Sequence, residues 1–494
     1  MATTTAQAAP PQADRHGRLE QVFHLHDLVA MSVSSVGPLF SIAATGGVMA
    51  ANAGLWTIPA IAIIALPFVI SAFVFRLLNQ HFPHAGASYH WSARILGRRA
   101  SRFQAWIIIV AYFASIPPII IPAATYTINL FFPSYNPGSL ALLGMSAFWC
   151  GFALIPLLGG GRPTARITQT FLAVEFLSLG SLAILGVARW NAIHVPLHWG
   201  KPPIGGMIIV AVVAATILDG WEIDSYASEE AQKPRSDPGI GGILGALLAL
   251  GFYAILYPLI LGETPLNLIA GAANPMSVWG DRLVPGAPWL VLIPVLASTA
   301  GGLWLTSFIL TRALFAMGRE RIIPKVFGRI SHRRVPHVAI LVTLGAALAV
   351  AFAQTLFSSL NQFFATVLAS AGFFLTVEFF LDSTTAMVFL WRGHKYQEET
   401  EGGTIKKHLL LRAGSTLCSL MFGGFIVGFF IYGPRSIGKP IDIILAVLLV
   451  AGLIFAFVSR EDGETFIFEG HDLLPEGPLH DLVFESATPV EIQR

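Results

Sequence analysis

The sequence predicts an all-α membrane protein with twelve transmembrane helices. Its 494 residues are 54% hydrophobic and 12% charged, with a mean hydropathy of +0.68, and are therefore far more apolar than a soluble protein of this length. We find twelve runs of roughly 20 mostly apolar residues, each long enough to cross a bilayer core of about 30 Å. The runs are continuous and lack alternation of apolar and polar residues, so helices are expected rather than a β-barrel.

The twelve runs divide the chain into a membrane domain and two polar tails. The runs occupy approximately residues 27–54, 57–78, 103–132, 139–158, 167–188, 205–227, 239–261, 289–317, 337–357, 361–391, 408–432 and 440–458. The membrane domain is therefore expected at residues 27–460, with a cytoplasmic N-terminal tail at 1–26 and an acidic cytoplasmic tail at 461–494. No apolar core follows a positively charged start, so no cleavable signal peptide is expected.

The distribution of basic residues predicts the orientation. Lys and Arg are concentrated in alternate loops, most densely in the loop at 319–334 between the eighth and ninth runs. The positive-inside rule then predicts a multi-pass protein of the cell membrane with both termini in the cytoplasm. The formal net charge of +2 carries little information by itself, no nucleic-acid partner is expected, and the sequence indicates no oligomeric state.

Two of the runs are interrupted by helix-breaking residues at their centres. Gly37 and Pro38 lie within the first run, and Gly220 lies within the sixth. In a helix interior, Gly costs about 1 kcal/mol and Pro about 3 kcal/mol, so both helices are predicted to break there, although a simple proline kink is an alternative for the first. Corresponding breaks five segments apart are expected of an inverted repeat of five plus five helices, here at about 27–188 and 205–392, with added helices at 408–459.

Broken helices offer backbone groups to a ligand at the membrane midplane. Free N–H groups at a half-helix N-terminus attract a carboxylate, and free carbonyl groups accept an ammonium group or an inorganic cation. A zwitterionic amino acid carries both a carboxylate and an ammonium group and could therefore bind to both kinds of backbone group.

Several acidic residues lie within the runs, where a charge is costly and usually functional. Glu175 lies alone in the fifth run, and Glu378 and Asp382 lie on one face of the tenth. A structural hydrogen bond is the alternative for Glu175, and a position near the aqueous boundary is the alternative for Asp382. Glu229 and Glu230 follow the sixth run, where pairing with basic loop residues is expected.

Chemistry other than transport has little support in the sequence. The two cysteines, Cys150 and Cys418, lie in apolar runs and are expected to be small buried residues rather than metal ligands. The fourteen histidines are scattered, and His81 and His84 are interpreted as interfacial residues. Neither an enzyme motif nor a metal or cofactor motif is recognised.

Four segments together resemble the amino acid, polyamine and organocation superfamily of secondary transporters. These are SVSSVGPLFSIA in the first run, PHAGASYHWSARILG after the second, LDGWEIDSYASEEAQKP in the sixth, and TRALFAMGRERIIPKVF after the eighth. The resemblance covers roughly residues 25–460 and implies the LeuT-like five-plus-five fold. The Gly-Pro form of the first break is similar to a prokaryotic subgroup of permeases.

The resemblance also implies roles for individual residues. The implied substrate-binding residues are Ser35, Val36, Gly37 and Ser41 in the first helix, and Leu218, Asp219, Gly220, Trp221 and Glu222 in the sixth. Trp221 would be an aromatic gate, and the role of Glu222 is the least defined. The implied coupling residues, for a proton or for sodium, are Glu175, Ser298, Thr299 and Glu378.

One departure from the superfamily concerns coupling. Several proton-coupled relatives carry a lysine in the fifth helix where this chain has Glu175. A carboxyl group can also carry a proton, since burial favours its neutral form. Proton coupling is therefore favoured, while sodium bound by first-helix carbonyl groups with Ser298 or Thr299 remains an alternative.

The resulting prediction is a carrier for amino acids. The many acidic residues favour cationic amino acids or polyamines over acidic substrates, and small neutral amino acids stay in the same leading class. Two alternatives are a sodium-coupled carrier or exchanger of the same fold, and a non-transporting sensor built on a permease scaffold.

Overall fold

A computed structural model describes residues 19–135, 137–353, 360–392, 409–438 and 440–459. Within these ranges the chain is almost entirely helical and forms no β-strand, and one isolated parallel bridge joins Phe23 to Ala231. Most of the predicted N-terminal tail, the end of the ninth run at 354–357 and the acidic tail at 461–494 lie outside the described residues.

Eighteen α-helices are described. They are α1 (Leu25–Val36), α2 (Pro38–Ala53), α3 (Thr57–His81), α4 (Ser88–Ile95), α5 (Arg98–Ser115), α6 (Pro117–Phe131), α7 (Ser139–Gly159), α8 (Gly161–Ile193), α9 (Ile204–Leu218), α10 (Ile223–Tyr226), α11 (Asp237–Glu263), α12 (Leu266–Ile269), α13 (Pro275–Leu283), α14 (Trp289–Arg319), α15 (His337–Ala353), α16 (Leu360–Arg392), α17 (Leu409–Ser436) and α18 (Pro440–Val458).

The lengths and composition of these helices confirm the predicted all-α membrane fold. Nine helical stretches of the described chain are long and apolar enough to cross a membrane, and the first of them contains α1, α2 and α3 together. Two further apolar helices, α9 and α15, are shorter. The number of twelve spans stays a prediction, as does the five-plus-five repeat.

The interrupted helices lie inside the bundle. α1 packs against α8, α11 and α14, α2 packs against α9 and α14, and α9 also packs against α3, α16 and α17. Most side chains of α1, α2 and α9 are buried, whereas α8, α17 and α18 carry many exposed large apolar side chains. An apolar outer surface around a polar, buried centre is the arrangement expected in a bilayer.

Three features differ from the predicted runs. The third run is divided into α5 and α6 at Ile116, because Pro117 and Pro118 have no N–H group to continue the ladder. The polar loop after the second run contains the helix α4, and the long connection after the seventh contains α12 and α13. α4 is completely buried, so packing within the fold outweighs its weak apolar pattern.

Candidate functional site

The first helix break lies at Gly37. This residue adopts φ 53° and ψ 67°, a left-handed conformation that glycine accepts readily, and Pro38 then begins α2. The N–H group of Gly37 still donates to the carbonyl group of Val33, but Pro38 has no N–H group for the next hydrogen bond. The predicted break is therefore present, with a change of direction between α1 and α2.

Two side chains from other helices cap the N-terminus of α2. The N–H group of Leu39 donates to Oε1 of Glu175 over 3.1 Å, and that of Phe40 donates to Oγ of Ser298 over 3.1 Å. The Ser298 hydroxyl in turn donates to the same Glu175 oxygen over 2.7 Å. A carboxyl group at a helix N-terminus interacts favourably with the helix dipole, so Glu175 stabilises the break directly.

This cap uses the backbone donors that were expected to bind a substrate carboxylate. The N–H groups of Gly37, Leu39, Phe40 and Ser41 all have partners within the protein. The hydroxyl group of Ser35 is buried and has no hydrogen-bond partner among the described residues. A donor to a ligand at this break is therefore a side chain rather than the backbone.

The second helix break lies between α9 and α10. Asp219 is extended, with φ −81° and ψ 162°, and Gly220 has φ 112°, where a side chain would be strained. The N–H group of Gly220 turns to both carboxyl oxygens of Glu222, at 3.0 and 2.8 Å, instead of continuing the helix. The Tyr112 hydroxyl donates to Oε1 of Glu222 over 3.0 Å.

The two breaks touch each other. A Cβ atom on Gly220 would lie 2.9 Å from both the carbonyl carbon of Ser35 and the nitrogen of Val36, closer than real Cβ contacts. The hydroxyl group of Ser32 also donates to the carbonyl oxygen of Trp221 over 3.0 Å. Gly220 therefore meets two requirements, a left-handed backbone and a close approach between two chain segments.

A cavity of about 40 Å³ lies beside this contact, between the breaks and α6, α14 and α16. A water molecule needs about 10–15 Å³ on the same measure, so the cavity has room for about three. The lining residues are Ser35, Val36, Phe40, Ser41, Ala44, Thr45, Ser115, Pro118, Ile119, Thr216, Ile217, Asp219, Gly302, Thr306, Leu368 and Ala371. They include one carboxyl group, six hydroxyl groups and no Lys, Arg or His.

The predicted substrate-binding residues divide into two groups. Ser35, Val36, Ser41 and Asp219 line the cavity, and the other five, Gly37, Leu218, Gly220, Trp221 and Glu222, do not. The predicted gate Trp221 is 2% exposed and packs against Phe75 and Phe379, at ring-centroid distances of 5.1 and 5.7 Å. In this conformation Trp221 is thus part of the apolar core beneath the break.

The predicted coupling residues do not form one cluster. Glu175 and Ser298 are hydrogen-bonded, whereas the Thr299 hydroxyl donates to the carbonyl group of Val295 in its own helix, over 2.6 Å. Glu378 lies apart from them and accepts a hydrogen bond from the Tyr226 hydroxyl over 2.9 Å. Within the described residues, the carboxyl group of Glu175 therefore lies at α2, and that of Glu378 lies at a separate place beside α10.

Sequence reasoning missed most of the cavity wall. Ser115, Pro118 and Ile119 come from the ends of α5 and α6 at the break in the third run, and Leu368 and Ala371 come from α16. The Pro-Pro pair was a usable signal for the former, because a helix interruption often accompanies a binding site. Nothing in the local sequence distinguishes the α16 residues from ordinary apolar helix positions.

Two ion pairs join α14 to the segment that follows α10 and close this end of the protein. We call this region the rim. Arg319 donates to both oxygens of Glu229 over 2.7 and 2.9 Å, and Arg312 donates to both oxygens of Glu230 over 2.8 and 3.2 Å. Burial alone would raise the pKa of Glu229, but the charge and hydrogen bonds of Arg319 outweigh it and hold this pKa at about 2. The expected pairing of the two acids is therefore present.

Two buried histidines lie beside the rim. His84 and His90 stack with ring centroids 3.9 Å apart, and both are completely buried rather than interfacial, as is His81. Burial lowers the pKa of His84 to about 3, with Arg319 and Arg94 acting in the same direction against Glu229. Burial also lowers the pKa of His90, so both rings are neutral at physiological pH.

These histidines come close to Glu320 in a group that resembles a metal site. The three potential ligand atoms lie within 4.8 Å of one another. However, Nη2 of Arg319 lies 3.0 Å from Nε2 of His84, so a fixed positive charge already occupies the neighbourhood of that nitrogen. The arrangement fits an internal hydrogen-bond network better than a cation site.

An all-helical membrane bundle with two interrupted helices around a small, partly polar cavity defines the class of membrane permeases. The amino acid permease family profile matches residues 23–459, and the chain belongs to this family. The matched range is close to the membrane domain predicted from the sequence.

Individual relatives are distant but consistent in type. The chain is 24% identical over 307 residues to the large neutral amino acids transporter small subunit 2 of Homo sapiens, covering 59% of this chain and 57% of the relative. It is 23% identical to the branched-chain amino acid permease BcaP of Lactococcus lactis, covering 70% and 80%. It is 25% identical to the L-methionine/branched-chain amino acid exporter YjeH of Escherichia coli, covering 64% and 74%.

The match to the human relative spans a little over half of that protein's length. The relatives are named as transporters, permeases and an exporter, and none as an enzyme, which agrees with the sequence prediction.

Proposed function

We propose that this protein is a secondary transporter that moves small neutral amino acids across the cell membrane by alternating access. The observation that carries the proposal is the cavity at the contact of the two helix breaks, with Asp219 as its one carboxyl group. The substrate ammonium group would pair with Asp219, and its carboxylate would accept a hydrogen bond from the unpartnered Ser35 hydroxyl. Ile119 and Leu368 offer an apolar wall to the side chain.

The size of the cavity supports a small side chain. Room for about three water molecules accommodates a substrate such as alanine, and a leucine side chain would need the wall to move outward. The named relatives handle large neutral, branched-chain and methionine substrates, so neutrality is the property that they have in common with this proposal.

The closed rim supports an alternating-access cycle. Glu229 and Glu230 are paired with arginines of α14, while the cavity lies among the breaks and the helix halves farther from the rim. With the orientation predicted from the basic loops, the rim faces the cytoplasm, where both termini also lie. Release of substrate to the cytoplasm would then require these ion pairs to separate.

A proton is the coupling ion in this proposal, and Glu175 is one group that can carry it. Oε1 of Glu175 accepts both hydrogen bonds, and Oε2 has no partner within the described residues. A proton on Oε2 therefore leaves the cap of α2 intact. The hydroxyl groups of Ser298 and Thr299 both donate hydrogen bonds and keep oxygen lone pairs, so sodium at this place stays the alternative to a proton.

A second candidate function is transport of an amine without a carboxylate, such as a polyamine. One observation favours it: the backbone N–H groups at the first break that could bind a substrate carboxylate are occupied, those of Leu39 and Phe40 by Glu175 and Ser298. The carboxyl group of Asp219 needs only an ammonium partner. The names of the relatives refer to amino acids, which favours an amino acid over an amine as the substrate.

Matched pairs of substrates test the proposal. Purified protein is reconstituted into liposomes that contain unlabelled L-alanine. The uptake of labelled compounds in exchange for this L-alanine is then measured for L-alanine, ethylamine, L-leucine, 3-methylbutylamine and putrescine. We expect L-alanine to exchange faster than ethylamine, which differs only in lacking the carboxylate. The reverse order would favour the amine carrier, and stabilisation by a ligand without any exchange would favour a sensor.

A further inference from the structure

A second set of buried acids, separate from Glu175, leads away from the cavity toward α16. The carboxyl group of Asp219 lies in the cavity wall, and the carboxyl group of Glu222, which does not line the cavity, accepts hydrogen bonds from the N–H group of Gly220, the residue after Asp219. The Tyr112 hydroxyl, from α5, donates to Glu222 over 3.0 Å. The set thus begins at the position proposed for the substrate ammonium group.

Two more acids continue the set on α16. Glu378 accepts a hydrogen bond from the Tyr226 hydroxyl over 2.9 Å. Asp382 lies one helical turn farther along and accepts hydrogen bonds from the Ser88 hydroxyl over 2.9 Å and from the Gln104 amide over 3.3 Å. Four helices, α4, α5, α10 and α16, therefore contribute to one buried polar network.

Two tyrosines join the two pairs of acids. The Tyr112 hydroxyl donates to Glu222, and its ring meets that of Tyr226, which donates to Glu378, edge-on with 5.8 Å between the centroids. The Tyr226 hydroxyl lies between Glu378 and Ser88, with 3.5 Å to the serine oxygen. We use the name acid–tyrosine chain for the following residues, in this order: Asp219, Glu222, Tyr112, Glu378, Tyr226, Ser88 and Asp382.

The four acids of the acid–tyrosine chain have no cationic partner. No Lys, Arg or His takes part in their hydrogen bonds or ion pairs within the described part of the protein, and their exposure is 8% for Asp219 and 1% for each of the others. An unpaired buried charge costs several kcal/mol, so the four groups hold protons among them instead of four negative charges.

A metal ion does not account for the arrangement. Among the described residues, no three of these carboxyl groups bring ligand atoms within 4.8 Å of one another. The groups are spread along a path on which hydroxyl groups of Tyr112, Tyr226 and Ser88 donate to Glu222, Glu378 and Asp382, respectively. Hydroxyl groups beside carboxyl groups are the arrangement that proton transfer between neighbours requires.

We propose that the acid–tyrosine chain carries the coupling proton between the cavity and the rim side of the protein. This inference rests on the proposed transport function. The carboxyl group of Asp219 must release its proton before it can pair with a substrate ammonium group. Glu222 is the adjacent group that accepts this proton. Each proton that Tyr112 takes from one carboxyl group is matched by the proton that it gives to the other, so the tyrosine stays neutral.

The chain ends near the rim, which gives the transfer a direction. Ser88 begins α4, and the ring of the next residue, Tyr89, meets the ring of the buried His84 edge-on, with 6.1 Å between the centroids. A proton displaced from Asp219 by an incoming substrate therefore moves toward the side to which the substrate is later released. After the substrate has left, Asp219 takes its next proton from water while the empty cavity is open to the opposite side, so each cycle moves one proton in the same direction as the substrate, which is symport.

Liposome assays separate coupling from substrate recognition. Wild-type protein should accumulate L-alanine under an inward proton gradient and acidify an internal pH dye when L-alanine is added. Glu378→Gln and Tyr112→Phe should reduce gradient-driven accumulation about ten-fold or more and abolish the dye signal. They should still exchange L-alanine when no gradient is applied.

Two matched variants control for the loss of buried hydrogen bonds. Glu263→Gln alters a buried acid that accepts from Trp279 over 2.6 Å, and Tyr126→Phe removes a buried hydroxyl that donates to Ala43 and Ala273. Both lie outside the acid–tyrosine chain and should retain coupling. Equal coupling in all four variants would overturn the inference, and so would wild-type transport without proton movement.

Infrared spectroscopy tests the inference even without transport. A pH jump on wild-type protein should change the carboxylic acid C=O band, and the part contributed by Glu378 should disappear in Glu378→Gln. Absence of any protonated carboxyl band in wild type would contradict the inference. Failure of every substrate to exchange, with the band present, would instead contradict the proposed transport function alone.

Discussion

The hydroxyl group of Ser298 lies 2.7 Å from Oε1 of Glu175, and the two side chains together accept the first two available N–H groups of α2. This contact joins α2, α8 and α14 at the first helix break. A buried N–H group without a partner costs about 1–3 kcal/mol, so the pair offsets much of the cost of interrupting the helix.

Substitution of Glu175 should separate its structural role from its role in coupling. Glu175→Gln keeps an oxygen acceptor for Leu39 but cannot release a proton, so we expect folded protein whose uptake depends less on pH. Glu175→Ala removes the acceptor and should lower stability by about 1–3 kcal/mol. Uptake as a function of pH and thermal unfolding are the measurements. A pH profile of Glu175→Gln identical to wild type would assign coupling to other groups.

Gly220→Ala should disrupt the contact between the two breaks. The added Cβ would lie 2.9 Å from the backbone of Ser35 and Val36 at a residue with φ 112°. We expect loss of folded protein in detergent, or exchange reduced about ten-fold or more. Gly251→Ala is the control, because a Cβ there meets no atom within 4 Å. Normal exchange by Gly220→Ala would argue against a rigid contact.

Asp219→Asn should weaken binding of any substrate that carries an ammonium group. The amide keeps the size of the side chain but removes the negative charge, which corresponds to about 1.5–3 kcal/mol for a charge-assisted hydrogen bond, or about ten-fold or more in affinity. Exchange of L-alanine as a function of concentration measures this effect. Wild-type affinity in the variant would remove Asp219 from the binding site.

Arg319→Gln should loosen the rim. Removing one partner of a buried ion pair leaves Glu229 without its main cation at a cost of about 3–5 kcal/mol. We expect a cysteine introduced at the buried Ser228 to react faster with maleimide in this background, while Lys325→Gln, at an exposed lysine nearby, should have no effect. An unchanged reaction rate would show that this ion pair does not hold the rim closed.

The pH dependence of the rim follows from the pKa of Glu229. Because this pKa is lowered to about 2, the ion pair contributes fully above the usual glutamate range and is lost only as pH falls toward 2. With Arg319 intact, the labelling rate of Ser228→Cys divided by that of Lys325→Cys, an exposed thiol that corrects for the pH dependence of the thiolate reaction, should therefore be constant between about pH 5 and pH 8.

His84 should make the folded protein less stable in mild acid. Its pKa falls from 6.5 to about 3 on folding, so the unfolded chain binds more protons between these values, and stability decreases as pH falls through this window. At pH 5 the loss amounts to about 2 kcal/mol. His84→Asn keeps an acceptor for the Gly86 N–H group and should lose less stability between pH 7 and pH 5 in thermal unfolding. His198→Asn, at an exposed histidine, should behave as wild type.

The helix breaks were predictable because their causes are local. Gly37 and Pro38 are poor helix formers in any surroundings, and so is Gly220 within an apolar run. The ion pairs of Glu229 and Glu230 were expected for a similar reason, since two adjacent acids at a helix end beside a basic loop need cations. At these positions the residue types themselves determine the local free energy, so the sequence alone is sufficient for the prediction.

The direction of side chains within the breaks was not predictable. Asp219 and Gly220 do not have helical dihedral angles, so helical periodicity does not continue across the break and does not indicate which of residues 219–222 faces the cavity. Asp219 lines the cavity whereas Trp221 packs into the core. Similarly, the burial of His84 depends on residues of α14 that are more than 200 positions away in the chain.

The bridge between Phe23 and Ala231 links the two interrupted helices to each other. Val22 and Phe23 donate to the carbonyl group of Glu230 over 2.8 and 3.0 Å, and Gln232 donates to Phe23 over 2.8 Å. The segment that enters α1 is thus fastened to the segment that leaves α10, and neither half-helix can swing outward without pulling the other. Opening at the rim should therefore be cooperative, with both half-helices leaving in one step and no stable state in which only one has moved.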